Sequence, residues 1–191
     1  MVTLFLDIGN SLIKAAIDDE QGYRYQGSIS LEEFIDSKRL DRFFDSVVPD
    51  SIYISAVASP ETIDTIKSTL QAQYQLFAMT LSSQKACCGL SSGYDDFHQL
   101  GDDRWMALQG AHSLSIQPVI VVDAGTAMTI DAILDGQHLG GFIVPGLTSL
   151  RGCLASDTAI KTVVDGSVVL DADKIEHTLL ATNTSDAILA G

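Results

Sequence analysis

Two stretches of this chain carry one local pattern. Leu4-Phe5-Leu6-Asp7-Ile8-Gly9-Asn10-Ser11 leads into the apolar run Leu12 to Ile17, and Val121-Val122-Asp123-Ala124-Gly125-Thr126 leads into Ala127 to Ile130. Each reads as a strand, Asp-x-Gly with a small polar residue, and a return strand. Glycine permits the sharp reversal, and an acid caps the strand that precedes it. An isolated Asp-x-Gly is a common turn. Two copies in matching strand contexts predict a duplicated module whose halves each begin with the same hairpin.

The elements around the first copy extend this prediction. Val2 to Asp7 reads as a strand buried on both faces. Leu12 to Ile17 returns, Asp18 to Gly22 turns, and Tyr23 to Ile29 gives a third strand. Ser30, with Glu33 three residues on, opens a helix over Leu31 to Val47 as a capping box. Ser51 to Ala56 is a strand. Ser59-Pro60-Glu61 starts a helix running to about Gln73, and Tyr74 to Met79 is the next strand. The order β-β-β-α-β-α-β predicts a mixed sheet with helices on its faces, the layout of a ribonuclease-H-like module. Thr80 to Leu100 follows as an irregular polar stretch, long enough to suggest binding. Gly101 to Leu114 reads as a helix with Trp105, Leu108 and Ala111 on one stripe.

The second copy starts over. Pro118 to Leu134 forms its hairpin, Asp135-Gly136 turns, and Gln137 to Val144 is a third strand closed by Pro145-Gly146. Leu147 to Ala159 is expected to be helical, Val168 to Leu170 a short strand, and Asp186 to Leu189 the start of a helix. The expected fold is therefore α/β: two ribonuclease-H-like (actin-like ATPase) modules around a cleft, spanning 1–116 and 117–191, with the junction near Ile116-Gln117. The second module runs out of chain before its pattern is complete.

Composition narrows the partners. With 25 acidic and 11 basic side chains the net charge is −14, and no Lys/Arg cluster offsets it, which argues against nucleic acid. No apolar run reaches membrane-spanning length. The N-terminus enters a strand directly, so the expectation is a cytoplasmic chain without a signal peptide. Cys87, Cys88 and Cys153 lack metal-ligand spacing and read as reduced thiols, with a redox pair at Cys87-Cys88 as the lesser alternative. His98, His112, His138 and His177 are scattered and read as surface or packed residues.

The chemistry suggested by these residues is phosphate handling. Each hairpin offers backbone N–H groups and small polar side chains, with no Cβ at glycine to block a phosphate chain. Asp7 and Asp123 can hold a cation or a water. Asn10, Ser11 and Thr126 add neutral donors, and Lys14 adds charge if it folds back. No Gly-x-x-x-x-Gly-Lys-[Ser/Thr] loop occurs. At Asp102-Asp103-Arg104 one acid suffices as a helix cap. The other can accept a proton from a substrate hydroxyl, and Arg104 can grip a carboxylate through two bonds. The glycines of Gly140 to Gly146 mark either a ligand approach or a crowded sheet corner.

Taken together, these motifs resemble the type III pantothenate kinases of the acetate and sugar kinase/Hsp70/actin superfamily. The resemblance rests on Asp7-Ile8-Gly9-Asn10-Ser11 with Lys14, Tyr94 ahead of Gly101-Asp102-Asp103-Arg104, Asp123 to Thr129, Gly140 to Gly146, and Asn183-Thr184. It implies ATP-dependent phosphorylation of pantothenate, the first step of coenzyme A synthesis. It further implies that Asp7, Ile8, Gly9, Asn10, Ser11, Leu12, Ile13 and Lys14 form the ATP phosphate loop and that Thr126 is a second ATP contact. Asp103 would be the catalytic base. Tyr94, Gly101, Asp102, Asp103, Arg104 and Thr184 would bind pantothenate. Asp123 would hold a monovalent cation (K⁺ or NH₄⁺), with Mg²⁺ accompanying ATP, and the protein would be a homodimer. Two other readings stand beside this one. The first is a truncated, non-catalytic paralogue acting as a regulatory or accessory binding protein. The second is another superfamily enzyme, against which the spacing of Tyr94 from Gly101 to Arg104 speaks.

Overall fold

A computed structural model describes residues 1–9, 12–44, 47–114, 118–147, 149–150 and 152–153. The first sheet contains β1 (Thr3–Ile8), β2 (Ile13–Asp19), β3 (Gly22–Ile29), β4 (Ser51–Ala56) and β5 (Met79–Thr80), in the order β3-β2-β1-β4-β5. β1 pairs antiparallel with β2 and parallel with β4. β2 pairs antiparallel with β3, and β4 parallel with β5. This is the expected ribonuclease-H-like order: a three-strand meander, then parallel additions on the far side of β1.

Side-chain alternation sets which face is packed. Leu4, Leu6 and Ile8 of β1 join Ile52 and Ile54 of β4 in a core completed by Phe34, Leu40, Ile66 and Leu70. The strand is not buried on both faces as expected. Phe5 and Asp7 are half-buried, and Phe5 stacks on Tyr53 at 5.7 Å and meets Tyr23 at 6.5 Å.

The helix expected over 31–47 is two helices, α1 (Leu31–Phe34) and α2 (Ser37–Phe43). The capping box at Ser30 and Glu33 forms as expected. Asp36 then starts over. Its carbonyl accepts from Leu40 N–H at 2.9 Å and its carboxylate from Arg39 N–H at 3.4 Å, so Asp36-Ser37 acts as a second helix start. α3 (Pro60–Tyr74) begins at the Ser59 cap and ends where Gln75 turns left-handed, at φ +56°. That reversal displaces β5 to the end of the 74–79 stretch expected to form it.

The segment after β5 is less irregular than its composition suggests. It holds a hairpin of β6 (Ala86–Cys87) and β7 (Leu90–Ser91), and a 3-10 turn at Phe97–Gln99. α4 (Asp102–Ser113) follows and buries Arg104, Trp105 and Leu108. The second sheet adds β8 (Val119–Ala124), β9 (Ala127–Leu134) and β10 (Gln137–Pro145), in the order β6-β7-β10-β9-β8. Residues 147, 149, 150, 152 and 153 are helical. The remainder of that expected helix, the strand at 168–170, the helix at 186–189 and the junction at Ile116-Gln117 lie outside the described residues.

By backbone contacts the chain forms two compact units. The first comprises Met1–Val121 with Asp131–Gly140, and the second comprises Val122–Ile130 with the chain from Gly141 onward. No described helix is long and apolar enough to cross a membrane.

Candidate active site

In the first unit, β1 and β2 carry the opening hairpin. Asp7 and Lys14 face each other in the ladder, and Lys14 Nζ lies 3.3 Å from Asp7 Oδ2, with both side chains about half exposed. Lys14 thus folds back toward the turn. The Gly9 N–H donates to Leu12 C=O at 3.1 Å, so this amide is spent on closing the turn. Gly9's contribution is the missing Cβ, which would stand 3.2 Å from that same oxygen. Ile8 and Ile13 are fully buried beneath the hairpin and Leu12 is exposed. Asn10 and Ser11 lie outside the described residues, as does Thr184.

The second unit contains the matching turn. Gly125 N–H donates to Ala127 C=O at 2.9 Å, again using the glycine amide internally. Thr126 is exposed and Asp123 half-buried. The Thr126 carbonyl accepts from Gly146 N–H at 2.9 Å and from Ser149 Oγ at 3.0 Å. A Cβ on Gly146 would collide with Gly125 O and stand 2.8 Å from Thr126 O. For Gly146 the crowded-corner reading is therefore the correct one: the turn after β10 packs directly on the hairpin tip.

The start of α4 is built differently from the expectation that an acid caps it. Gly101 is the N-cap and makes no side-chain cap bond. Both acids lie in the first turn, where the helix dipole favours negative charge by about 0.3–1 kcal/mol. They do separate jobs. Asp102 Oδ1 accepts from Ser83 N–H at 2.7 Å and from Ser83 Oγ at 2.9 Å, and Ser83 Oγ also reaches Leu100 C=O at 2.5 Å. Asp103 is half-buried, and its Oδ1 accepts from Arg104 N–H at 2.7 Å. Asp102 thus ties the preceding segment to the helix, while Asp103 lies over the helix N-terminus.

Arg104 forms the centre of a buried network. Its Nε donates to Asp131 Oδ2 at 3.0 Å and its Nη2 to Asp131 Oδ1 at 2.6 Å. Its Nη1 donates to Tyr94 Oη at 2.7 Å, and the guanidinium carbon stands 5.5 Å from the Tyr94 ring centre. Arg104 is 4% and Asp131 3% exposed. Burial works against the arginine charge, but the hydrogen bonds Arg104 donates to Asp131 and then to Tyr94 outweigh it, and the guanidinium holds its proton more tightly than usual. The fork expected to grip a substrate carboxylate is occupied by a carboxylate of the chain itself.

His138, fully buried on β10, completes the network. Its Nε2 lies 2.9 Å from Asp131 Oδ1, and its ring stacks on Tyr94 at 5.9 Å with an 18° interplanar angle. An ionised Asp131 only accepts, so His138 Nε2 carries the proton and Nδ1 is left as an acceptor. Nδ1 is buried and has no hydrogen-bond partner among the described residues, where an unsatisfied nitrogen costs about 1–3 kcal/mol. Ser83, Asp131 and His138 were not singled out by sequence reasoning. The one available signal was an acid within the otherwise apolar β9 run, Met128-Thr129-Ile130-Asp131-Ala132-Ile133-Leu134.

Among the described residues no group of three His, Cys, Asp or Glu side chains is arranged to hold a metal ion. Asp7 and Asp123 are single carboxylates whose donor chemistry suits a cation shared with a ligand's phosphate oxygens. Cys87 and Cys88 are thiols with their sulfurs 3.3 Å apart, and the hydrogen bond with Cys88 pushes the pKa of the Cys87 thiol up, so that it ionises less readily than an ordinary thiol.

Comparison with known proteins agrees with this layout. A family model described as type III pantothenate kinase matches residues 3–191. The chain is 36% identical over 189 residues to the type III pantothenate kinase of Hydrogenovibrio crunogenus, covering 98% of this chain and 74% of that protein. It is 35% identical over 161 residues to the Pseudomonas aeruginosa (strain LESB58) protein of the same description, covering 81% of this chain and 62% of that protein. Among solved structures it is similar to a Campylobacter jejuni protein described as a Baf family transcriptional activator. That match has a TM-score of 0.54 and 25% identity, and covers 98% of this chain and 72% of that one.

Proposed function

The chain belongs to the type III pantothenate kinase family, and on that premise we propose that it transfers the γ-phosphoryl group of ATP to the primary hydroxyl of pantothenate. The observation carrying this reading is the start of α4. A carboxylate, Asp103, lies at a helix N-terminus next to an arginine whose direction is fixed by Asp131 and Tyr94.

In this reading Asp103 is the base. As the hydroxyl oxygen bonds to phosphorus and ADP leaves, the hydroxyl proton passes to the Asp103 carboxylate. Tyr94 and Arg104, with Thr184, take the carboxylate end of pantothenate. Tyr94 Oη accepts from Arg104, so the phenol's own proton is available to donate to an anion. Three of Arg104's N–H groups are committed to Asp131 and Tyr94, and the outer edges of Nη1 and Nη2 supply what Arg104 adds. Gly101 and Asp102 shape this turn, Asp102 by fixing Ser83.

The phosphates of ATP fall to Asp7 through Lys14 and to Thr126. Both glycine amides are spent within their turns, and the Lys14 ammonium beside Asp7 supplies positive charge to the phosphates. Mg²⁺ bound with the nucleotide would supply neutralisation of phosphate charge, and Asp123 would hold K⁺ or NH₄⁺. The reaction is assigned to the cytoplasm and to a homodimer. The net charge of −14 argues against nucleic acid as a partner.

The test is pantothenate-dependent ADP release in the presence of Mg²⁺ and K⁺. Asp103→Asn is expected to keep the wild-type melting temperature and lose at least ~10²-fold in turnover, the scale of a general base. Unchanged turnover in that variant rejects the assignment.

A further inference from the structure

We propose that Asp131 and His138 are positioning residues for acceptor binding: together they fix the Arg104 guanidinium and the Tyr94 phenol, and so present the Tyr94 O–H to the acceptor's carboxylate. The inference rests on the reading of Arg104 and Tyr94 as pantothenate contacts.

Three observations converge on His138. First, its Nε2 reaches the same Asp131 oxygen that accepts from Arg104 Nη2. Asp131 is thereby held by donors from both sides, which fixes the carboxylate plane and with it the direction of Arg104's fork. Second, the imidazole stacks on Tyr94 while Arg104 Nη1 holds the Tyr94 oxygen, so the phenol is restrained at its ring and at its tip. Third, the backbone of His138 seats the residue before Tyr94. A Cβ on Gly93 would collide with His138 C=O and stand 3.0 Å from its carbonyl carbon and 3.3 Å from Gly140 N. Only glycine brings this segment so close to β10, and that approach delivers Tyr94 to the ring it stacks on.

Among the described residues Nδ1 makes no hydrogen bond, so the one polar contact of the His138 side chain there is the Nε2 bond to Asp131. An apolar ring would fill the same space without leaving a nitrogen unsatisfied. What the apolar ring lacks is the Nε2–H that fixes Asp131. Neither Asp131 nor His138 needs to touch substrate, since both act through Arg104 and Tyr94.

The experiment uses the full chain with His138→Phe and His138→Gln, the latter retaining an amide N–H that reaches the Nε2 position. His138→Phe is expected to raise KM for pantothenate about tenfold, to lower kcat by less than about threefold, and to leave KM for ATP within about twofold. Its melting temperature changes little, because the unpartnered nitrogen is gone while Asp131 loses one donor and keeps both Arg104 bonds. His138→Gln is expected to recover most of the KM. Independently of turnover, the Arg104 Nε–H resonance should exchange slowly with solvent in the wild type and at least about tenfold faster in His138→Phe. Unchanged pantothenate KM and unchanged Arg104 exchange in His138→Phe overturn the proposal. So does a parallel loss of kcat, both KM values and melting temperature, which would mark a purely structural residue. Failure of the kinase reading looks different: the wild type itself then shows no pantothenate-dependent ADP release. That result ends the acceptor role, while the exchange measurement still decides whether His138 and Asp131 fix Arg104.

Discussion

Removing Asp131 should expose how much of the first unit's stability depends on one buried ion pair. In Asp131→Ala, Arg104 loses the bonds of 3.0 and 2.6 Å that satisfy its Nε and Nη2. The guanidinium is only 4% exposed, so water does not replace them, and Tyr94 is left as its partner. Stranding a buried charge in this way costs about 3–5 kcal/mol. At roughly 2–4 °C per kcal/mol for a chain of this size, the melting temperature should fall by about 6–20 °C. The single tryptophan, Trp105, is buried beside Arg104 and reports unfolding in urea by fluorescence. Replacing both partners, as Arg104→Met with Asp131→Leu, removes two desolvated charges together and should return stability to within about 1–3 kcal/mol of the wild type, the shortfall being the buried His138 Nε2 left without its acceptor. Turnover should stay lost in that double variant, because Arg104 is gone. Stability and activity then separate, as expected if the pair costs about as much to bury as it returns. An Asp131→Ala loss below about 1 kcal/mol, the value of a surface pair, would refute the reasoning. A double variant no more stable than the single one would refute it too.

Two other perturbations test separate features. Burial, followed by the charge of Asp41, pushes the Tyr74 hydroxyl up from 10.0 to about 12. Because the folded value is the higher one, this group's contribution is complete below pH 10 and is lost as pH rises through about 12. Tyr74→Phe should therefore flatten the alkaline fall in urea midpoint over that window, and an unaltered slope would contradict the assignment. Gly146→Ala forces a Cβ against Gly125 O and Thr126 O. It should cost roughly 1–3 kcal/mol by overpacking and raise KM for ATP more than KM for pantothenate. Equal shifts in both KM values would argue against Thr126 as an ATP contact.

What was legible in the sequence was what local pattern determines. β1 to β4 follow from apolar runs separated by Gly9 and Gly22, and α3 from Ser59-Pro60. The break between α1 and α2 had a signal, Asp36-Ser37, a polar cap pair inside the stretch expected to be one helix. β5 moved because Gln75, a residue with no strong preference for left-handed geometry, ends α3 that way. β6 and β7 are two residues each, too short for any period to register. The Arg104 network was illegible for a different reason. Asp131 is 27 residues from Arg104, and His138 meets it only because β9 and β10 lie side by side in the second sheet. Register between strands is a non-local outcome, and a scattered histidine or a lone acid in a strand carries little information until register is known.

Ser83 has a consequence for how this protein can vary. By holding Leu100 C=O and the Asp102 carboxylate together, it closes an excursion of 17 residues at its base. The tip at Cys88-Gly89 is a left-handed turn, with φ +50° and +85°, and it packs back on the same helix. Gln109 Nε2 donates to Cys87 C=O at 3.2 Å, and a Cβ on Gly89 would stand 3.3 Å from His112 Nε2. The excursion is thus fastened to α4 at its base and again near its tip. For an engineer or a lineage, its length is matched to the stretch of helix it spans, and an insertion at the tip has to be accommodated against α4.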